Sequence, residues 1–301
     1  MIDADFFSKN GFVVAKSVFA RGEIDDLRHR LTTARARANS EGATYSIGSS
    51  EKVSIVRGDL LGQLELADVA YLVLDERLVS CVKALIGFKV IYFGDSSFQT
   101  GEGLRGFHKD NAHRTDGNGS DWQSEYNVIR VGIYLQDHVV HSGGLKVREK
   151  SHRYLSKHRG SALNVSLATG DVAFWKLTVS HSGNNVRIRG LPNLCLHPRI
   201  ESMVPQWLRV PEERERIAAF SSFGAPGIHL DTYIRYLSAR EDFREHFRWS
   251  YFPSRAMKLA SEIGVELQFP TADFGARYMH RESRHAGEVI GTTTPEGVRL
   301  T

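Results

Sequence analysis

Two stretches of this 301-residue chain carry side chains that could hold a metal ion. One is Gly106-Phe107-His108-Lys109-Asp110; the other runs from Gly170-Asp171-Val172-Ala173-Phe174-Trp175 to His181. Residues two apart in an extended segment point to the same side, so His108 and Asp110 share a face, and one imidazole from a later strand completes three ligands. Two imidazoles and a carboxylate on one face of an octahedral ion leave three positions open. That suits iron(II) taking a chelating cosubstrate and then dioxygen, and it suits a closed structural zinc site poorly. The expected outcome is an oxidised small molecule.

A His-x-Asp pair is a weak signal alone, because the chain has 13 histidines and a second example, His229-Leu230-Asp231. The surroundings separate the two. The first pair follows a glycine-rich approach (Gly101, Gly103, Gly106) and precedes a β-rich run and a Gly-Asp turn that opens an apolar strand ending at His181. His229-Leu230-Asp231 lies in charged, helical sequence with no comparable strand and arginine after it. The first pair is therefore the expected metal site.

The elements that must position these ligands are legible from periodicity. Asp3 to Lys9 and Arg21 to Asn39 are predicted helices, the second with Ile24, Leu27, Leu31 and Ala34 at helical spacing. Glu41 to Asp59 is polar, with a short β signal at Val53-Ser54-Ile55-Val56. A third helix covers Leu66 to Leu74 or continues through Glu76 to Ile86, stopping at Gly87. Strand signals follow over Val90 to Gln99, Val128 to Gln136, Leu145 to Arg148, Ala162 to Leu167, Asp171 to Thr178, Val186 to Arg189 and Leu194 to His197. So many short strands predict a mainly β fold with flanking helices (α+β), its core a double-stranded β-helix of the jelly-roll type. Beyond Ile200, helices are expected over Glu212 to Phe220, Asp231 to Phe247 and Ser254 to Ile263. The expected organisation is an oxygenase domain over 1–200, with a helical part at 1–87 and a barrel core at 88–200. A helical extension over 201–301 packs on it, covering the barrel mouth or forming a homo-oligomer contact. A tail from Arg281 to Thr301 is expected to be partly mobile.

At its motifs the chain resembles the phytanoyl-CoA dioxygenase-like iron(II)/2-oxoglutarate oxygenases, over residues 1–200. Phe6-Phe7-Ser8-Lys9-Asn10-Gly11-Phe12-Val13-Val14, then Phe19 and Glu23-Ile24-Asp25-Asp26-Leu27, is similar to that family's helix, strand and second helix. Val131 to His152, with Leu135-Gln136-Asp137, Gly143-Gly144-Leu145-Lys146-Val147 and Lys150-Ser151-His152, resembles its central stretch. Gly144 stands where the family has proline, and Glu149-Lys150 where it has Pro-Gly. Asp171, His181, Ser182, Gly183 and Asn185 fit its Gly-Asp strand and His-Gly-Ser-x-x-Asn segment, with a shortened loop. The resemblance implies Fe(II), 2-oxoglutarate and O2 as cofactors, with His108, Asp110 and His181 as metal ligands and succinate and carbon dioxide as by-products. It also implies an arginine on the last barrel strand for the distal carboxylate of 2-oxoglutarate, which a guanidinium grips with two parallel donors. Arg189 is the first candidate, because Gly190-Leu191 follows it; Arg187 is the second and Arg199 the third. Gln99 is the polar residue placed to hold the cosubstrate, against the bland reading of a solvated strand end. Related halogenases replace the carboxylate ligand by a small residue; Asp110 therefore implies hydroxylation or another two-electron oxidation.

The segment His113 to Glu125 follows the metal carboxylate, is polar and glycine-rich, and is too long for a simple hairpin. Such loops are more often lids or binding loops than idle connections. Asn111, His113, Arg114 and Trp122 are thus candidate substrate contacts, with an ordinary surface loop as the alternative. Lys109 is expected to point away from the ion.

Composition sets outer bounds. With 41% hydrophobic and 25% charged residues the chain buries a full core. A net charge of +4 is mild; it permits an anionic substrate, and no Lys/Arg block with interleaved aromatics predicts nucleic-acid binding. No apolar run reaches the roughly 20 residues that span a bilayer, and Met1-Ile2-Asp3-Ala4-Asp5 is no export signal. A cytoplasmic enzyme is the expectation, with Cys81 and Cys195 as reduced core thiols. The alternatives are a barrel kept as a non-catalytic binding module and a cupin-like metal enzyme that does not use 2-oxoglutarate.

Overall fold

Helix starts and stops follow local chemistry in the computed structural model, which describes residues 2–42, 44–47, 53–62, 70–101, 106–183, 185–191 and 193–276. Helix α1 (Ala4–Asn10) begins where the Asp3 carboxylate accepts the Phe6 N–H at 2.8 Å. It ends at Gly11, whose left-handed backbone returns an N–H to the Phe7 carbonyl. Strand β1 (Phe12–Ala15) follows. Helix α2 (Arg21–Ser40) buries Ile24, Leu27, Leu31, Ala34 and Ala38 on one face. After β2 (Thr44–Ile47) and β3 (Val53–Val56) come α3 (Ala70–Leu74) and α4 (Glu76–Ile86), the latter capped by Asp75. The rest of the chain forms β4 (Val90–Gly101), β5 (Val128–Tyr134), β6 (Lys146–Arg148), β7 (Ala162–Asn164), β8 (Val172–Lys176) and β9 (His181–Ser182). Then come α5 (Pro198–Glu201), β10 (Ile217–Gly224), α6 (Ile228–Ala239), α7 (Glu241–Trp249), α8 (Ser254–Glu262) and β11 (Val265–Leu267).

The strands build two sheets. The larger has the order β1-β8-β5-β10-β4-β3-β2, antiparallel throughout, with β11 added parallel to β4. The smaller has the order β7-β6-β9, and His108 joins it through an antiparallel bridge to His181. Alternation assigns the two faces of the large sheet. Val131, Ile133, Val172 and Phe174 join the core built with α2 and α4. Tyr134, Ala173, Trp175 and Ala218 pack instead with Leu145 and Val147 of the small sheet. The result is a mainly antiparallel, jelly-roll-like α+β architecture with helices against one face and the small sheet against the other. No helix among the described residues is long and apolar enough to cross a membrane.

The structure departs from the sequence reading most sharply at residues 212–220. In place of a helix, β10 lies in the middle of the large sheet, Phe220 opposite both Ser97 of β4 and Gly132 of β5. A central strand is buried on both faces, so Ile217-Ala218-Ala219-Phe220 lacks the alternation that marks a half-exposed strand, and the preceding charges mimic a helix surface. Although it lies beyond residue 200, β10 belongs to the same large sheet as β4, β5 and β8. Two strands expected before it do not form: Ile188 makes isolated bridges to Leu191 and Arg209, and the 194–197 stretch is an irregular approach to α5. The helix expected over Asp231 to Phe247 is two helices, broken where Arg240 takes extended geometry (φ −87°, ψ 134°). Cys81 and Cys195 are free and half-buried, Cys81 packed against the main core. Gly103, the Leu66 end of the third expected helix and the Arg281 to Thr301 tail lie outside the described residues.

Candidate metal centre and cavity

Backbone pairing across the small sheet brings the three chemical side chains together. His108 N–H donates to the His181 carbonyl at 3.0 Å and His181 N–H to the His108 carbonyl at 2.9 Å, a reciprocal pair that sets the two residues directly opposite. Two residues on, Asp110 N–H donates to the Leu177 carbonyl at 3.0 Å, which keeps its side chain on the face shared with His108. Gly106 turns the chain into this segment at φ +108°, a region that L side chains rarely adopt, and its N–H donates to Ser182 Oγ.

The rings are oriented as well as placed. His108 Nδ1 lies 2.9 Å from the Gly106 carbonyl and His181 Nδ1 lies 3.2 Å from the Val179 carbonyl. Carbonyl oxygens accept, so each Nδ1 carries the proton and each Nε2 presents a lone pair. Those Nε2 atoms stand 3.7 and 3.5 Å from the Asp110 carboxylate, and the three ligand atoms lie within 4.8 Å of one another. Octahedral ligands at about 2.1 Å from an ion sit about 3 Å apart, so a small contraction closes this set on a metal. Burial, with His108 alongside, pushes His181 down to about 4, which leaves it a neutral donor at neutral pH. Burial opposes ionisation of Asp110, but His181, His108 and Arg130 outweigh it and hold the carboxyl down at about 2. The donor set fits a two-histidine, one-carboxylate ion.

Arg130 from β5 braces this carboxylate. Its guanidinium is 3.7 Å from Asp110, 3.0 Å from Asp95 and within hydrogen-bond reach of the Tyr233 hydroxyl. Asp95, on β4, also accepts from Ser222 Oγ of β10 at 2.7 Å. A charged residue within the apolar run Val128-Ile129-Arg130-Val131 was the sequence signal for this buried role, and it was missed.

A cavity of about 390 Å3 opens from the triad. On one side Trp175 packs against His181 with ring centroids 5.4 Å apart, and Phe220 and Tyr134 continue that wall toward Arg216. Arg216 is only 2% exposed, bonds through Nε and Nη1 to the carbonyls of Gly143 and Gly101, and has no carboxylate within ion-pair distance among the described residues. A buried cation without a counterion is costly, so this site favours an incoming anion. Gln99 lines the same cavity from β4, beside Ala218 of β10.

The arginines chosen from sequence lie elsewhere. Arg189 and Arg199 do not line the cavity; Arg199 is exposed, and Arg189 Nε donates to the Arg209 carbonyl at the surface. Arg187 is buried, but its Nη2 donates to the His138 carbonyl, away from the triad. The reason is the long segment between β9 and β10, which places the next strand of the large sheet far beyond His181. The signal used for Arg189, small and apolar residues directly following, is present after Arg216 as Ile217-Ala218-Ala219. Of the four loop candidates, Arg114 lines the cavity. Asn111 and His113 instead bind Asp121, at 2.8 Å from Asn111 Nδ2 and from the His113 N–H, and Trp122 Nε1 donates to the His113 carbonyl. These three hold the loop's own shape. Lys109 turns away from the ion, its Nζ donating to the Ser151 and Thr178 carbonyls. His229 is not part of a metal set: its ring is held by Asn127 and the Ser120 carbonyl.

No protein-family model matches the chain, and no curated protein matches it. Solved structures do. The epimerase SnoN, in complex with Fe3+, α-ketoglutarate and nogalamycin RO, is similar with a TM-score of 0.51 at 14% identity, over 74% of this chain and 82% of that one. The α-ketoglutarate-dependent carbocyclase SnoK from nogalamycin biosynthesis gives 0.51 at 16% identity, over 74% and 82%. EctD from S. alaskensis, with 2-oxoglutarate and 5-hydroxyectoine, gives 0.50 at 17% identity, over 74% of each. At these identities the likeness is one of fold, and these three proteins are 2-oxoglutarate-dependent enzymes or bind 2-oxoglutarate.

Proposed function

We propose that the protein is an iron(II)/2-oxoglutarate-dependent oxygenase of the phytanoyl-CoA dioxygenase-like kind, built on a double-stranded β-helix, that oxidises a small polar molecule. His108, Asp110 and His181 hold the ion. Arg216, in place of Arg189 or Arg187, takes the distal carboxylate of 2-oxoglutarate, with the Gln99 amide beside it. The observation that carries this reading is the pairing, in one cavity, of a three-ligand site with a buried guanidinium that has no counterion among the described residues.

When bound, iron(II) would activate O2, the oxidant, with 2-oxoglutarate as the co-reductant that leaves as succinate and carbon dioxide. The chain's part is placement. The reciprocal His108–His181 backbone pair fixes the two imidazoles, Arg130 keeps the Asp110 carboxylate ionised, and the Trp175, Phe220 and Tyr134 rings keep water from the space beside His181. Asp110 fills the position that a halide needs, which favours hydroxylation or another two-electron oxidation. A cytoplasmic setting, where iron stays ferrous, and a homo-oligomer contact through α6–α8 are part of the same reading.

Iron(II) and 2-oxoglutarate added without oxygen are expected to give the visible charge-transfer band of a chelated ferrous ion. His108→Ala and His181→Ala each abolish it, together with succinate formation. A wild-type protein that binds iron tightly but shows no response to 2-oxoglutarate would sink the proposal.

A further inference from the structure

Resting on the oxygenase reading, we infer that the substrate carries a carboxylate, bound at the cavity mouth by Arg114 with Arg240 beside it. The cavity runs in two directions from the triad. Past Trp175 lies Arg216; the other way, Arg130 leads from Asp110 to Tyr233, whose ring centroid is 6.1 Å from that of Tyr236. At Tyr236 two cations meet. The Arg114 guanidinium carbon stands 5.1 Å from the ring centroid and that of Arg240 5.6 Å, and both side chains donate from Nη1 to the same phenol oxygen. Arg114 is exposed and Arg240 partly so, which makes this end the mouth.

Charge pairing around the cavity leaves one guanidinium over. Among the described residues its walls carry four arginines, Lys109 and three aspartates, and the Lys109 Nζ is turned to the Ser151 and Thr178 carbonyls. Asp95 is taken by Arg130, Asp110 by the ion and Arg130, and Asp242 by Arg240 in a two-point contact at 2.6 and 3.1 Å. Arg216 is assigned to the cosubstrate, and the two negative charges of 2-oxoglutarate balance those of the ferrous ion. Among the described residues Arg114 is left with neutral partners only, the Tyr236 hydroxyl and the Asn111 carbonyl at 3.5 Å. Two guanidiniums sharing one neutral oxygen repel, and only Arg240 has a carboxylate to offset it. A carboxylate on the Tyr236 face relieves that repulsion and gains paired donors from Arg114. A volume of about 390 Å3 that also holds 2-oxoglutarate favours a small acid over a large conjugate.

The test uses the full-length protein loaded without oxygen with iron(II) and saturating 2-oxoglutarate. Aliphatic, alicyclic and aromatic monocarboxylic acids are titrated against the charge-transfer band, each beside its primary carboxamide. Acids are expected to shift the band at concentrations at least tenfold below their amides, and Arg114→Gln to erase that preference while the unshifted band still forms. A charge-assisted pair is worth about that factor or more. A wild-type band that no acid shifts in preference to its amide overturns the inference, as does an acid preference that survives in both Arg114→Gln and Arg240→Gln. Absence of any band in the wild type counts against the oxygenase reading instead.

Discussion

Arg216 and Arg189 differ in what replacing each does to 2-oxoglutarate. Arg216 is buried beside the cavity, held by the Gly143 and Gly101 carbonyls and against Tyr134, whereas Arg189 sits at the surface against the Arg209 carbonyl. Arg216→Met is expected to raise the 2-oxoglutarate concentration for half-saturation roughly ten- to a hundredfold, the value of a charge-assisted pair. Arg189→Met is expected to leave it within about twofold. Titrating the anaerobic charge-transfer band in both variants decides between them. The grouping of His108, Asp110 and His181 was legible because its signal is local, alternation within His108-Lys109-Asp110 and an apolar strand ending at His181. The place of Arg216 was not, since nothing local says that the strand following it lies between β4 and β5. Arg130 was visible only as a charge inside an apolar run, and its partners Asp95 and Tyr233 come from far along the chain.

At the scale of elements, two glycines of positive φ separate conformational cost from steric cost. Gly170 (φ +96°) opens β8, and a Cβ there would lie 2.1 Å from the Phe19 carbonyl oxygen, a backbone atom that cannot move aside. Gly106 (φ +108°) leads into His108 with open space around it. Gly106→Ala should therefore cost about 1–2 kcal/mol, from backbone conformation alone. Gly170→Ala should cost more and lower the melting temperature further, as thermal unfolding of the two variants will report. The sequence showed β4, β5 and β8 clearly, since long β-rich runs bounded by turns carry their own signature. It concealed β10 because full burial removes alternation. It concealed β11 because three residues, Val265, Glu266 and Leu267, are too few for any period to emerge. The break at Arg240 likewise had no glycine or proline to announce it.

For the whole molecule, Asp59 links distant regions and makes stability depend on pH. Its carboxylate is fully buried, accepting from Ser96 Oγ at 2.6 Å and from Tyr92 Oη, while its own N–H donates to Ser250 Oγ near the far end of the described chain. Burial, only partly offset by these hydrogen bonds, pushes the carboxyl up to about 6. In the unfolded chain it titrates near 3.9. Between those values the folded protein keeps a proton that the unfolded chain has lost. This contribution is fully present below about 4, is lost as pH rises through 6, and does not change above that. Asp59→Asn, uncharged throughout, should flatten the fall in unfolding free energy between pH 4 and 6, measured by urea denaturation at closely spaced pH values. The central place of β10 bears on biosynthesis too. During translation β4 and β5 emerge from the ribosome with a gap one strand wide between them, and the segment that fills it is made much later. Until Gly224 has cleared the exit tunnel, the β4 and β5 edges that β10 pairs in the finished sheet lack their partner and invite a chaperone or another nascent copy.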